Sequence, residues 1–275
     1  MPKPGNSGSF ILLAALLLLT APLPSLSSDA STITANAFIA VIIDDIGHNR
    51  QHAERMFDIP APLTFAVIPE TAYAEPLARQ AYLSGKEVMV HLPMENTHNR
   101  PMERLQLTAE HSRQEFELIL DEAIARVPYA TGMNNHMGSA LTEMPQAMSW
   151  LMRSIRKHQM YFIDSRTTPR SVAQKIAQQE NLKTASRDIF LDNIRTFYGI
   201  DTQFQKLLSV AKRKKTAIAI GHPYPTTIDY LARAIPQLEE QGIRVVPVSE
   251  LIRIRSEMDI SEPQVAALFP MPGAD

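Results

Sequence analysis

Two adjacent carboxylates, Asp44 and Asp45, end the apolar run Ile39-Ala-Val-Ile-Ile43 and are followed by Ile46 and Gly47. A β-branched apolar run of this kind reads as a strand buried on both faces, which places the two acids where the strand meets solvent. Successive strand side chains point to opposite sides, so the pair can divide its labour, one acid holding a metal and the other acting as a base. The competing reading is an aspartate pair that caps the positive end of the next helix. Further strand-like runs end in the same way. His91 lies in Val90-His-Leu-Pro-Met-Glu95 and His136 in Gly132-Met-Asn-Asn-His-Met-Gly-Ser139; Asp164 lies in Phe162-Ile-Asp-Ser-Arg-Thr167 and His222 in Ile220-Gly-His-Pro223. Singly, each has a structural explanation, as a hydrogen-bonded histidine or a turn-capping aspartate.

Together they suggest a reaction centre. Asp45, His91 and His136 supply one carboxylate and two imidazoles, a ligand set that leaves a coordination position of a zinc-like ion open to water. Asp44 is then available to accept a proton, and His222 to protonate a departing amine. His48 and His52 share a helical face four residues apart but lack the glutamate of an H-E-x-x-H motif. They read as solvated, with His48 near enough to Asp45 to be an alternative third ligand. His98 and His111 flank the polar loop from Asn96 to Glu110, whose length suits a lid. His158 follows Arg156 and Lys157 at a helix end, where positive charge suits the dipole.

These residues need a scaffold that brings several strand ends together. Strand-like runs are expected at 38–43, 63–68, 87–91, 131–134, 160–163, 184–191, 216–220 and 244–248. Helical patterns are expected between them at 49–57, 71–84, 112–127, 145–158, 171–180, 202–214 and 227–241. Ser112-Arg-Gln-Glu115 is a capping box and Gly242 a helix stop. Seven or eight such β-then-α units imply a parallel sheet closed or nearly closed into a barrel, with chemistry at the carboxyl ends of its strands.

Composition narrows the chemistry. The chain has 275 residues, 45% of them hydrophobic and 20% charged, with a net charge of -2, which gives no global basic field for nucleic acid. It has no cysteine, which removes disulfides and thiolate ligands and leaves carboxylates and the eight histidines to hold a metal. There is no Gly-rich phosphate loop and no G-x-S-x-G turn. At the N-terminus, Lys3, the apolar stretch from Phe10 to Leu19 and the breakers Pro22 and Pro24 precede Ser25, Ser27 and Ser28. The pattern is that of a secretory signal over residues 1–28, too short for a membrane span of about 20 residues. A linker at 29–37, a single domain at 38–256 and a flexible tail at 257–275 complete the expected organisation. The expected location is periplasmic or secreted, with no membrane span in the mature form.

The motifs Ile43-Asp-Asp-Ile-Gly47, His91-Leu-Pro-Met-Glu95, Asn134-Asn-His-Met-Gly-Ser139, Phe162-Ile-Asp-Ser-Arg-Thr167 and Gly221-His-Pro223 resemble the divergent polysaccharide deacetylases, a branch of the NodB-type carbohydrate esterases. The resemblance covers about residues 38–252. It implies a single-domain α/β fold, a distorted (β/α)7-8 barrel, and a divalent metal, usually Zn2+, held by one Asp and two His. By motif, Asp44 matches the base, Asp45 the metal-binding acid, His136 a metal histidine and His222 the distal acid. Better-studied deacetylases draw both metal histidines from one H-x-x-x-H motif, whereas here Glu95 stands at that offset from His91. Asp164 and Arg166 are expected to orient His222 and Asp44, with Glu95 and Asn135 beside the ligands. The implied activity is metal-dependent hydrolysis of the acetamide of an envelope polysaccharide or peptidoglycan-like glycan. The alternative is a module on the same fold that binds glycan or a cell-wall protein without turnover.

Overall fold

The structure, a computed structural model, describes Met1 and residues 35–97 and 104–268. The expected signal segment, most of the linker, His98 and residues 269–275 lie outside the described residues.

Among the described residues, nine parallel strands are connected mostly through helices. They are β1 (Ala37–Ile46), β2 (Thr64–Val67), β3 (Glu87–Met94), β4 (Ala130–Met137), β5 (Tyr161–Asp164), β6 (Thr184–Ser186), β7 (Ile189–Phe190), β8 (Thr216–Gly221) and β9 (Ile243–Val245). The helices are α1 (Arg50–Phe57), α2 (Ala74–Leu83), α3 (Arg113–Arg126), α4 (Pro145–Lys157), α5 (Ala173–Gln179), α6 (Phe197–Lys214), α7 (Pro225–Ala234) and α8 (Val248–Leu268). The strand order is β6-β5-β4-β3-β2-β1-β8-β7, with β9 paired to the start of β1. The sheet therefore curls into a half-barrel whose edges, β6 and β7, are neighbours in the chain. The single strand expected over 184–191 is these two short strands, with Arg187 and Asp188 between them.

Two apolar clusters explain the curl. On β1, Ile39, Val41 and Ile43 belong to the layer between sheet and helices, while Ala40 and Ile42 belong to the barrel interior. This is the two-residue alternation of a strand covered on both faces. Val248, Leu251, Ile252 and Ile254 of α8 also join the interior cluster. The backbone N–H of Val248 donates to Thr64 Oγ1 at the start of β2 (3.1 Å), which places α8 under the amino ends of the strands. The carboxyl ends are left open for a site. α8 runs on to Leu268, so the flexible tail expected from 257 is helical through 268. The helix consumes the backbone polar groups that a tail would leave to water.

The capping box is as expected, with Ser112 Oγ accepting from the Glu115 N–H and the Glu115 carboxylate from the Ser112 N–H. Gly242 ends its helical turn at φ +68°, and His158 caps the end of α4.

Candidate metal centre

Strand alternation fixes which side chains reach the open mouth. On β3, Met89 faces the interior, so His91 does too; on β4, Met133 faces the helices, so Asn134 and His136 turn inward. On β8, Ile218 and Ile220 face inward and His222 continues that row. On β1 the rule would separate Asp44 from Asp45, but the backbone breaks it. Asp45 adopts φ +58°, and the pairing of β1 with β2 slips between Ile43 and Ile46, so one extra residue is accommodated. Such a bulge re-aims a side chain. Ile46 falls back onto the helix-facing layer, and both aspartates meet His91.

Three atoms form a tight triangle. Asp45 Oδ1 lies 3.3 Å from His91 Nε2 and 3.2 Å from His136 Nδ1, and the two nitrogens are 3.0 Å apart. Ligands about 2.0–2.1 Å from a tetrahedral zinc are separated by about 3.3 Å, so this triangle is close to one face of such a site. Asp45 Oδ1 is fully buried and makes no hydrogen bond of acceptable geometry among the described residues. A buried acceptor left without a hydrogen-bond donor is costly, and a cation shared with the two imidazoles would satisfy it. The donor set and its orphaned oxygen fit a divalent cation. His48 is exposed and takes no part in the cluster, so His91 is the third ligand candidate that the fold supports.

Asn134 lies directly beside His91 in the sheet and joins the triangle to Asp44. Its side-chain N–H donates to Asp44 Oδ1 (2.8 Å), and its Oδ1 accepts from His91 Nδ1 (2.7 Å). The amide orientation assigns the proton of His91 to Nδ1 and leaves the Nε2 lone pair facing the triangle, as a ligating imidazole requires. Asp44 Oδ2 is 3.6 Å from His91 Nε2.

The two adjacent acids are pushed in opposite directions. Burial raises Asp44 above the usual carboxylate range, against the fields of His91 and His222. Burial also opposes ionisation of Asp45, but the close approach and charge of His136 and His91 overcome it and hold Asp45 far below that range. Environments that push two carboxylates apart distinguish a base from a permanent anion. His91 is penalised by burial, yet Asp44 and Asp45 lift it to about 9 in the metal-free protein.

His222 stands on the other side of Asp45, its Nε2 3.7 Å from Asp45 Oδ2. It is held by a residue the sequence reading missed. Asp192, wholly buried, accepts from His222 Nδ1 (2.9 Å), the His222 backbone N–H (2.7 Å) and Thr227 Oγ1 (2.9 Å). Burial disfavours the imidazolium, but the Asp192 hydrogen bond and charge prevail and raise the pKa of His222.

The orienting roles expected of Asp164 and Arg166 are corrected by the same alternation. Ile163 faces the interior, so Asp164 faces the helices. There its oxygens accept from the Arg166 backbone N–H and from Ser171 Oγ (2.8 Å each), closing its own turn. Arg166 adopts φ +52°, and its guanidinium bends toward Pro169 O. Arg187 is the guanidinium at this end. It donates to the carbonyls of Ser165 and Arg166 (2.7 and 2.9 Å), and burial lowers its pKa against the fields of Asp44 and Asp164. Asn135 joins the ends of two strands, accepting from the Ser165 N–H (2.9 Å) and donating to Met137 O (2.7 Å). Glu95 accepts from the Ala109 N–H (2.7 Å) and so ties down the described part of the loop that follows β3. The cleft over the site is also lined by Asn96, Met137, Ser139, Thr167 and Phe190.

A curled parallel half-barrel with a carboxylate and two imidazoles at its open end defines an α/β protein with a candidate metal centre. Residues 41–252 match the divergent polysaccharide deacetylase family, and the chain belongs to that family. It is 34% identical to the Escherichia coli K12 protein YibQ over 234 residues, 85% of this chain and 73% of that one. Its fold is similar to that of ATU2773 from Agrobacterium tumefaciens C58 (TM-score 0.76, 21% identity, 78% of this chain and 89% of that one). It is also similar in fold to a mutant of the peptidoglycan deacetylase PdaC from Bacillus subtilis (TM-score 0.52, 17% identity, 83% of this chain and 96% of that one).

Proposed function

We propose that this protein is an extracytoplasmic, metal-dependent hydrolase that removes acetyl groups from an N-acetylated envelope polysaccharide or a peptidoglycan-like glycan. The observation that carries the reading is the triangle of Asp45, His91 and His136, open toward the cleft and flanked by Asp44 on one side and His222 on the other. Asp45, His91 and His136 would hold a divalent cation, which we take to be zinc, and it would supply Lewis acidity at the acetamide.

The chain's own residues do the rest. Asp44, with its raised pKa and its Asn134 hydrogen bond, accepts a proton from water as the new C–O bond forms. His222, kept protonated by Asp192, gives its proton to the nitrogen as the C–N bond breaks, leaving acetate and a free amine. Asp45 stays ionised and holds both ring nitrogens. No helix among the described residues is long and apolar enough to cross a membrane. The extracytoplasmic location is supported by the N-terminal apolar segment of the sequence.

The test is metal content together with turnover. The purified chain should carry about one equivalent of divalent metal, lost in His136→Ala, and Asp44→Asn should keep the metal while losing deacetylation of N-acetylated glycans. Metal absent from both proteins after supplementation would favour a glycan-binding module without turnover. Full activity in Asp44→Asn would remove the base.

A further inference from the structure

A row of stacked side chains includes Phe190 and His222, which line the cleft, and has a guanidinium at each end. Arg187 lies over the ring of Phe190 (5.1 Å), Phe190 packs against His222 (centroids 5.3 Å), His222 stacks on Tyr224 (5.3 Å, 29°), and Arg195 lies over the Tyr224 ring, 3.8 Å from its centroid. Arg187 is largely enclosed and committed to backbone carbonyls. Arg195 is exposed.

Arg195 is also fixed. Its Nη2 donates to Tyr224 Oη (2.6 Å), and its loop is anchored at both ends. At one end Asp192 grips His222 and Thr227. At the other, Thr196 caps α6 by accepting from the Gly199 N–H (3.1 Å). Gly199 lets Ile194 press onto the first turn of that helix, since a Cβ there would fall 2.6 Å from Ile194 O. A cation so held gives up less side-chain entropy when a ligand arrives than a free one would. What it lacks is an acid. Arg55, Arg153 and Arg170 are each closed by a carboxylate from another segment, namely Asp229, Glu180 and Glu143. Among the described residues, Arg195 has only the neutral Tyr224 as partner.

We infer that Arg195 is a carboxylate-recognition point, so that the glycan taken by this site carries an acidic group next to the acetamide it presents to His222. This deepens the glycan reading proposed above and rests on it. A preordered, exposed guanidinium beside a general acid, with donors still to satisfy, matches a carboxylate in the bidentate manner that arginine favours. Stacking also places Arg195 within about 9 Å of the His222 ring, close enough for one ligand to meet both.

The experiment compares ligands that differ only in charge. The probes are the disaccharide of N-acetylglucosamine and N-acetylmuramic acid, and the same disaccharide with its lactyl carboxylate converted to the methylamide. A disaccharide of N-acetylglucosamine and glucuronic acid, with its methylamide, distinguishes a ring carboxylate from a lactyl one. Affinities are measured by calorimetry on the full, metal-loaded chain in the Asp44→Asn background, which prevents consumption. At least one acidic form should bind about tenfold more tightly than its amide, a typical gain for one charge-assisted contact, with the preference reduced by salt. Arg195→Ala should bind acid and amide alike. Arg195→Gln, which keeps length and a donor for Tyr224, should do the same with circular dichroism unchanged. Equal binding of acid and amide by the Arg195 protein, or a preference that survives both substitutions, overturns this inference and leaves the deacetylase reading standing. Binding of no form overturns both.

Discussion

Replacing Asp192 by asparagine tests whether His222 is an acid because of its buried partner. Asp192 Oδ2 accepts from the His222 backbone and Thr227, and Oδ1 from His222 Nδ1. An asparagine oxygen in the Oδ2 position keeps two of these bonds, so the turn should fold. Its NH2 would then face Nδ1, which must become an acceptor. The imidazolium is disfavoured twice, by the lost charge and by a donor meeting a donor. A hydrogen bond to a charged group is worth about 1.5–3 kcal/mol, which corresponds to a fall of about one to two pKa units. His222 must be protonated to act as acid, so activity is present below its pKa and lost above it. The raised pKa carries that alkaline limb to higher pH in the wild type. In Asp192→Asn the limb should move down by about one to two units, so that above it the rate falls by about 10–100-fold. The assay is kcat/KM against pH, with a titration of the His222 ring by NMR. An unmoved limb with a rate within about threefold of wild type would refute the argument.

Two further predictions concern the metal side. Asn134→Leu keeps the approximate shape but strips both Asp44 and His91 Nδ1 of their partner, so metal affinity by chelator competition should fall about 10–100-fold. Unchanged affinity in a folded variant would show that the bridge is only structural. The metal-free protein should also lose stability in alkali. The pKa of His91 is about 9 when folded against 6.5 when unfolded, so its contribution is fully present below about pH 6.5 and disappears as pH rises through about 9. Metal needs the neutral ring, so metal affinity should rise over the same window. Calorimetric melting with and without metal across pH 6 to 9.5 reads both trends, and parallel curves would contradict them.

What could be read from the sequence follows from what each residue depends on. The strand-end acids and imidazoles were legible because local runs such as Ile39 to Ile43 announce both the strand and its end. The alternation within those runs also contained more than was taken from it. Asp164 follows Ile163, an interior residue, and so had to face the helices, where it closes its own turn. The Asp44 and Asp45 pair was illegible by the same rule, because a regular strand separates them. Only the bulge at φ +58° lets both reach one centre; aspartate at 45 tolerates that φ better than most residues, but tolerance alone does not place a bulge.

Asp192 was missed for a different reason. It follows a two-residue strand, Ile189–Phe190, whose pattern is too short to announce an end, and its partner His222 is 30 residues away. Asn134 was passed over for its neighbour Asn135, although the alternation that turns His136 inward turns Asn134 inward as well. These two residues make the arrangement chemical rather than merely polar. Asn134 fixes which nitrogen of His91 faces the triangle, and Asp192 fixes the protonation of His222. A strand-end histidine is common, and in the proposed mechanism these partners are what would equip His91 to ligate and His222 to donate a proton.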